Sequence, residues 1–135
     1  MDDDLIVWND SYSVGNETID NQHKGLVAMA NELLLHCRQK GPEADVAFAR
    51  TVKKAMDYAR SHFSTEENIM TRSSYPDIQT HKKEHEKFVI DILKAIREFE
   101  DGKIEPINLV EFLKNWLLNH IAETDKKCAP YFSKC

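Results

Sequence analysis

His62-Phe63-Ser64-Thr65-Glu66 and His81-Lys82-Lys83-Glu84-His85 each carry two metal-binding side chains four residues apart. An α-helix returns to the same face after that interval, so each pair directs both side chains into one interior. His23 stands alone upstream, and His120 with Asp125 follows downstream. Five of the six histidines thus join two carboxylates in an ordered set, which reads as a metal site distributed over several helices.

The apolar residues around this set define the helices. Between Thr18 and Arg38, Ile19, Leu26, Ala30, Leu33 and Leu34 recur at helical spacing, with His23 on the same stripe. Gly41-Pro42 ends that stretch, and Pro42 suits the first turn of the next helix, where its missing N–H is not needed. Ala49, Val52, Met56, Ala59, Phe63, Glu66 and Met70 form a second seam, with Glu66 where an apolar residue belongs. A carboxylate on a core stripe must find a partner or lose its charge, and the nearby His62 implies a metal. Ser73-Ser74-Tyr75-Pro76-Asp77 is a turn signal. His81, His85, Phe88, Ile92, Ala95, Ile96 and Phe99 trace a third helix ending near Asp101-Gly102. Leu109, Phe112, Leu113, Trp116, Leu117, His120 and Ile121 trace a fourth. Four helices of roughly 18–22 residues with short loops predict an all-α, up-down-up-down four-helix bundle, a fold that commonly houses metals between facing helices.

His120 and Asp125 are five apart, about 140° around a regular helix, so both cannot face one site without local adjustment. A single i→i+5 step, a π-bulge, is the expected remedy.

Imidazole and carboxylate donors without cysteine at ligand spacing suit iron, manganese or zinc better than copper(I) or an iron–sulfur cluster. Seven such donors exceed what one tetrahedral structural zinc takes, which points to two metals bridged by Glu66 and Asp125. His36 has no partner at helical spacing and is left out. Glu67 lies about 100° from Glu66 and is expected in solvent, as are Lys82, Lys83, Glu84, Glu86 and Lys87.

The chain has 135 residues, 41% hydrophobic and 30% charged, which fits a single domain spanning 1–135. A net charge of −5, with both signs interleaved, argues against a nucleic-acid partner. The acidic start Met1-Asp2-Asp3-Asp4 is unlike a secretory signal, and no apolar run approaches the ~18 residues of a membrane span. A cytoplasmic protein without membrane contact is expected. Cys37, Cys128 and Cys135 form no C-x-x-C and read as three free thiols in a reducing compartment.

The order of motifs, a lone histidine followed by H-x-x-x-E, H-x-x-x-H and H-x-x-x-x-D, resembles the hemerythrin family. Val7-Trp8, Ile19-Asp20-Asn21-Gln22-His23-Lys24, the Tyr75-Pro76 before His81, and Trp116-Leu117-Leu118-Asn119-His120-Ile121 are similar to bacterial members, so the resemblance covers nearly the whole chain. It implies two iron ions, one held by His81, His85 and His120, the other by His23 and His62. Glu66 and Asp125 would bridge both beside an oxo or hydroxo bridge, and one position on the second iron would stay open for dioxygen. Leu26, Phe63, Trp116, Leu117 and Ile121 match the positions that line the family's oxygen pocket, an apolar wall that withholds protons from bound oxygen. The implied function is reversible dioxygen binding by a non-enzymatic protein, whether a carrier, a store or a deliverer to an oxygen-using enzyme; a monomer is the default expectation. The alternatives are an oxygen-sensing module and a di-iron enzyme with peroxidase or nitric-oxide-related activity. Cys128 stands where similar sequences tend to carry an aromatic residue.

Overall fold

A computed structural model describes residues 5–132, and among these every regular element is helical. Helices α1 (Glu17–Cys37), α2 (Pro42–Arg72), α3 (Ile78–Glu100) and α4 (Pro106–Asn119) follow one another through short connections. From α4 the chain passes through a π-helical segment, His120–Thr124, into α5 (Asp125–Phe132). Helix α1 packs on α2 and α4, and α3 packs on the same two, so the four long helices surround a shared interior as an up-down-up-down bundle. No helix among the described residues is long and apolar enough to cross a membrane. The acidic first four residues and Cys135 lie outside the described residues.

Local chemistry sets the helix ends. The Asn16 side chain caps α1 by accepting from the Ile19 N–H at 3.1 Å, while its amide donates to the Phe132 carbonyl at 3.0 Å. One residue thereby joins the start of the first helix to the end of the last. Gly41, at φ 110°, takes the left-handed conformation that lets the chain enter α2 at Pro42. Helix α2 then runs for 31 residues, longer than the sequence pattern suggests, because no glycine or second proline interrupts it. Glu105 and Asn108 cap α4 reciprocally, the Asn108 side chain accepting from the Glu105 N–H at 2.9 Å. One predicted seam position is corrected: Ala49 is exposed, and Phe48 takes the inward place one position earlier, since its ring gains far more from burial than a methyl group.

The interior is divided. A large apolar cluster contains Leu26, Phe63, Phe88, Ile92, Leu117 and Ile121; a smaller one contains Val14, Ile19, Ile69, Met70, Tyr75, Cys128 and Phe132. Buried polar residues lie between them along each helix, in the order Ile19, His23, Leu26 on α1 and Phe63, Glu66, Met70 on α2. The bundle thus sandwiches a polar layer between two apolar clusters. Each fully buried Leu, Ile or Phe contributes about 1.5–3 kcal/mol, the source of stability that offsets burying so many polar groups.

Candidate metal centre

All seven predicted ligands occupy that layer, and none is more than 3% exposed. His23 comes from α1, His62 and Glu66 from α2, and His81 and His85 from α3. His120 opens the π segment and Asp125 follows it. The Asp125 N–H bonds to the His120 carbonyl, an i→i+5 step that widens the turn as the spacing predicts. Its effect is to bring the two side chains together, with His120 Nε2 2.9 Å from Asp125 Oδ2.

Glu66 is the centre of the arrangement. Its Oε1 contacts Nε2 of His62 and lies 3.1 Å from His120 and 3.3 Å from His23, whereas its Oε2 lies 3.1 Å from His81 and 3.4 Å from His85. Asp125 also divides its oxygens, Oδ2 facing His23 at 2.6 Å and Oδ1 facing His81 at 3.2 Å. The donor atoms form two overlapping groups, His23, His62, Glu66, His120 and Asp125 in one and His81, His85 and His120 in the other. His120 stands at the join.

Three of the imidazoles are oriented from behind through Nδ1. His62 meets the Gln22 side-chain oxygen at 2.7 Å, and the Gln22 amide is itself directed by donating to Thr65 at 3.3 Å. His85 meets a Glu67 carboxylate oxygen at 2.8 Å, and His81 meets the Cys128 sulfur at 3.4 Å. An Nδ1–H held this way leaves the Nε2 lone pair free for a metal. Glu67 departs from its expected place in solvent: its side chain is long enough to turn back across the α2–α3 groove, and it is 29% exposed. Gln22 carried no periodic signal, since its backbone position is half-buried and only its amide reaches the site.

Burial disfavours charge on His23, His62, Glu66, His81, His120 and Asp125, yet all of these but His62 are shifted toward the charged form by one another. Against that burial, Asp125, Cys128 and Glu66 push His81 up to about 12, and Asp125 and Glu66 push His120 up to about 10. His23 is raised by the same carboxylates, Glu66 is held well below the usual carboxylate range by His62 and His120, and burial lowers His62. Without a metal, then, protons on imidazoles balance two buried carboxylates. A divalent cation supplies that positive charge without protons, so binding it must release them. His85 Nε2 and both Asp125 oxygens are sealed from solvent without an aligned hydrogen-bond partner. Such orphans are rare in protein interiors, and the seven residues present fit cation ligands that satisfy them.

The predicted pocket residues belong to the larger apolar cluster or pack against it. Leu26, Phe63, Leu117 and Ile121 are buried, and Trp116 is half-buried. Phe63 stacks on His85 with centroids 3.9 Å apart, and Trp116 stacks on His120 at 4.6 Å. Leu26, Trp116 and Leu117, together with Ala30 and Phe88, line an apolar cavity of about 30 Å³; Phe63 and Ile121 stand outside its lining.

A helical bundle that gathers five imidazoles and two carboxylates into one buried layer defines a histidine–carboxylate metal-binding protein. Residues 14–132 match the hemerythrin HHE cation binding domain, and the chain belongs to the hemerythrin family. It is 38% identical to a bacteriohemerythrin of Pseudomonas paraeruginosa over 120 residues, covering 89% of this chain and 76% of that protein. It is also 32% identical to a myohemerythrin of Theromyzon tessulatum over 120 residues, covering 89% and 88%. A crystal structure of wild-type hemerythrin superposes with a TM-score of 0.84 at 29% identity, covering 96% of this chain and 98% of that one.

Proposed function

We propose that this chain binds dioxygen reversibly at a di-iron centre and serves as a carrier, store or delivery protein. The observation that carries the reading is the placement of Glu66, one oxygen toward His62, His120 and His23, the other toward His81 and His85, which suits a carboxylate spanning two cations. His81, His85 and His120 would hold one iron and His23 and His62 the other, with Asp125 as the second bridge. When bound, two ferrous ions supply the electrons that dioxygen accepts and returns.

This chain's residues supply the rest. Gln22, Glu67 and Cys128 hold three imidazoles by Nδ1 so that Nε2 faces inward. Phe63 and Trp116 cover His85 and His120 with aromatic faces, excluding water that could deliver protons. The cavity beside Leu26, Trp116 and Leu117 offers a small apolar guest a place next to the layer.

The test is a visible spectrum of the anaerobically iron-loaded, reduced protein before air, after air and after argon, with iron counted on the same sample. Two irons per chain and an oxygen-dependent band that fades under argon support reversible binding. Loading with fewer than two irons, or a band that bleaches irreversibly to a ferric product, overturns it in favour of a sensor or a redox enzyme.

A further inference from the structure

Cys128 is fully buried one turn beyond Asp125, on the side of His81 away from the carboxylates. Its sulfur lies 3.4 Å from His81 Nδ1, 4.0 Å from the Met70 sulfur and 3.7 Å from the Thr124 carbonyl. The Thr124 carbonyl can take the thiol hydrogen, an i→i−4 bond within the chain's last turns. The sulfur lone pairs are then free to accept from the His81 Nδ1–H. Tyr75, in the same small cluster, packs against Tyr131 with centroids 4.9 Å apart.

The three Nδ1 partners differ in kind. Gln22 offers a neutral amide oxygen, Glu67 a carboxylate and Cys128 a thiol sulfur. Carboxylate acceptors make the bonded imidazole a stronger electron donor, whereas sulfur is a weak, polarizable acceptor. His81 and His85 share a helix and a face, yet one is backed by charge and the other by sulfur. Cys128 belongs to neither group of candidate ligands, and the imidazole ring of His81 separates it from the carboxylates.

We infer that Cys128 is a positioning residue for His81: its sulfur accepts the Nδ1–H, fixes the ring with Nε2 toward the metal layer, and does so without adding charge. The Thr124 carbonyl, four residues earlier, anchors the thiol. The inference rests on the proposed metal site, and it separates the two histidines of H-x-x-x-H into one strongly and one weakly donating ligand.

The test compares iron-loaded wild type with Cys128→Ala and Cys128→Ser. Iron release to a chelator is timed, and the solvent-exchangeable imidazole N–H resonances are recorded by paramagnetic NMR; thermal melts of the metal-free forms establish that each variant folds. Cys128→Ala is expected to release iron roughly ten- to a hundredfold faster, in the range that outer-sphere partners of metal ligands usually show. It should also lose one slowly exchanging N–H resonance. Cys128→Ser, which keeps an acceptor, should restore the resonance and most of the retention. Unchanged release and resonances in Cys128→Ala overturn the inference, as does a folded Cys128→Ser that matches Cys128→Ala, because packing alone would then account for both. Failure of the wild type to take up iron overturns the metal-site reading instead.

Discussion

The two apolar clusters press on opposite sides of one polar layer and offer it different chemistry. On the larger side Leu26, Phe63, Leu117 and Ile121 present only hydrocarbon and ring faces, and the cavity there is lined by apolar side chains. On the smaller side the Cys128 sulfur lies 3.4 Å from His81 Nδ1, with the Met70 sulfur behind it at 4.0 Å. A site that must keep protons from a bound guest and yet hold its imidazoles in one orientation has opposing needs. The bundle keeps the larger side apolar and holds His81 from the smaller one, while Gln22 on α1 and Glu67 on α2 hold His62 and His85.

The largest effect expected removes the layer that separates the two sides. Glu66→Ala deletes the carboxylate shared by five imidazoles, and the iron-loaded protein should lose its metal, as elemental analysis would register. The metal-free protein should lose about 3–5 kcal/mol in denaturant melts, the usual cost of breaking a buried ion pair. Retained iron with unchanged stability would contradict the central role of Glu66.

Next comes pH, which tests the layer without mutation. His120 and His81 sit above their ordinary value of 6.5, at about 10 and about 12. Their protonated forms therefore stabilise the metal-free fold fully below that ordinary value, and the contribution is lost as pH rises through the folded values. Denaturant midpoints of the metal-free protein should fall from neutral pH toward pH about 10 and beyond. A midpoint that climbs over this range would count against the carboxylates as the cause.

Leu117→Asn carries a polar group into the hydrocarbon side. It should cost on the order of 1–3 kcal/mol for a buried amide with poor partners. It should also shorten the lifetime of the air-exposed spectrum. An unchanged lifetime would break the contrast between the two sides. The smallest effect is expected from the reverse exchange, Met70→Leu, which turns part of the heteroatom side to hydrocarbon at similar volume. Stability should change by less than about 1.5 kcal/mol, and the lifetime of the air-exposed form should hold. A large change in that lifetime would place proton exclusion on both sides alike.

The ligands were legible in the sequence because each is polar on an apolar stripe, a contradiction that periodicity exposes. Asp125 was legible for the opposite reason, since its five-residue offset from His120 fitted no regular helix and called for the π turn found there. Glu67, Gln22 and the role of Cys128 were not legible. Glu67 and Gln22 have half-buried backbone positions beside a ligand and reach the imidazoles through flexible side chains, which spacing along one helix cannot disclose. Cys128 looks apolar on its stripe, and its weak acceptor chemistry emerges only once α3 is packed against it. At the start of α2 the pattern was read through Ala49, whereas Phe48, one position earlier, takes the inward place because its ring gains more from burial than a methyl group.

The π segment gives this chain an unusual evolutionary position. Deleting any one residue from 121–124 would let α4 continue into α5 as an uninterrupted α-helix, with more regular backbone hydrogen bonds. The same deletion would leave His120 and the carboxylate four apart, the spacing that keeps His62 and Glu66 on one face, so the second carboxylate would stay in the layer. Relaxing 120–125 to a regular α-helix at unchanged length would instead rotate Asp125 and everything after it by about 100°. The wide turn thus absorbs one extra residue on the spot and leaves every side chain downstream aimed as it would be without that residue, so a one-residue change of length beside a buried centre is one the site survives.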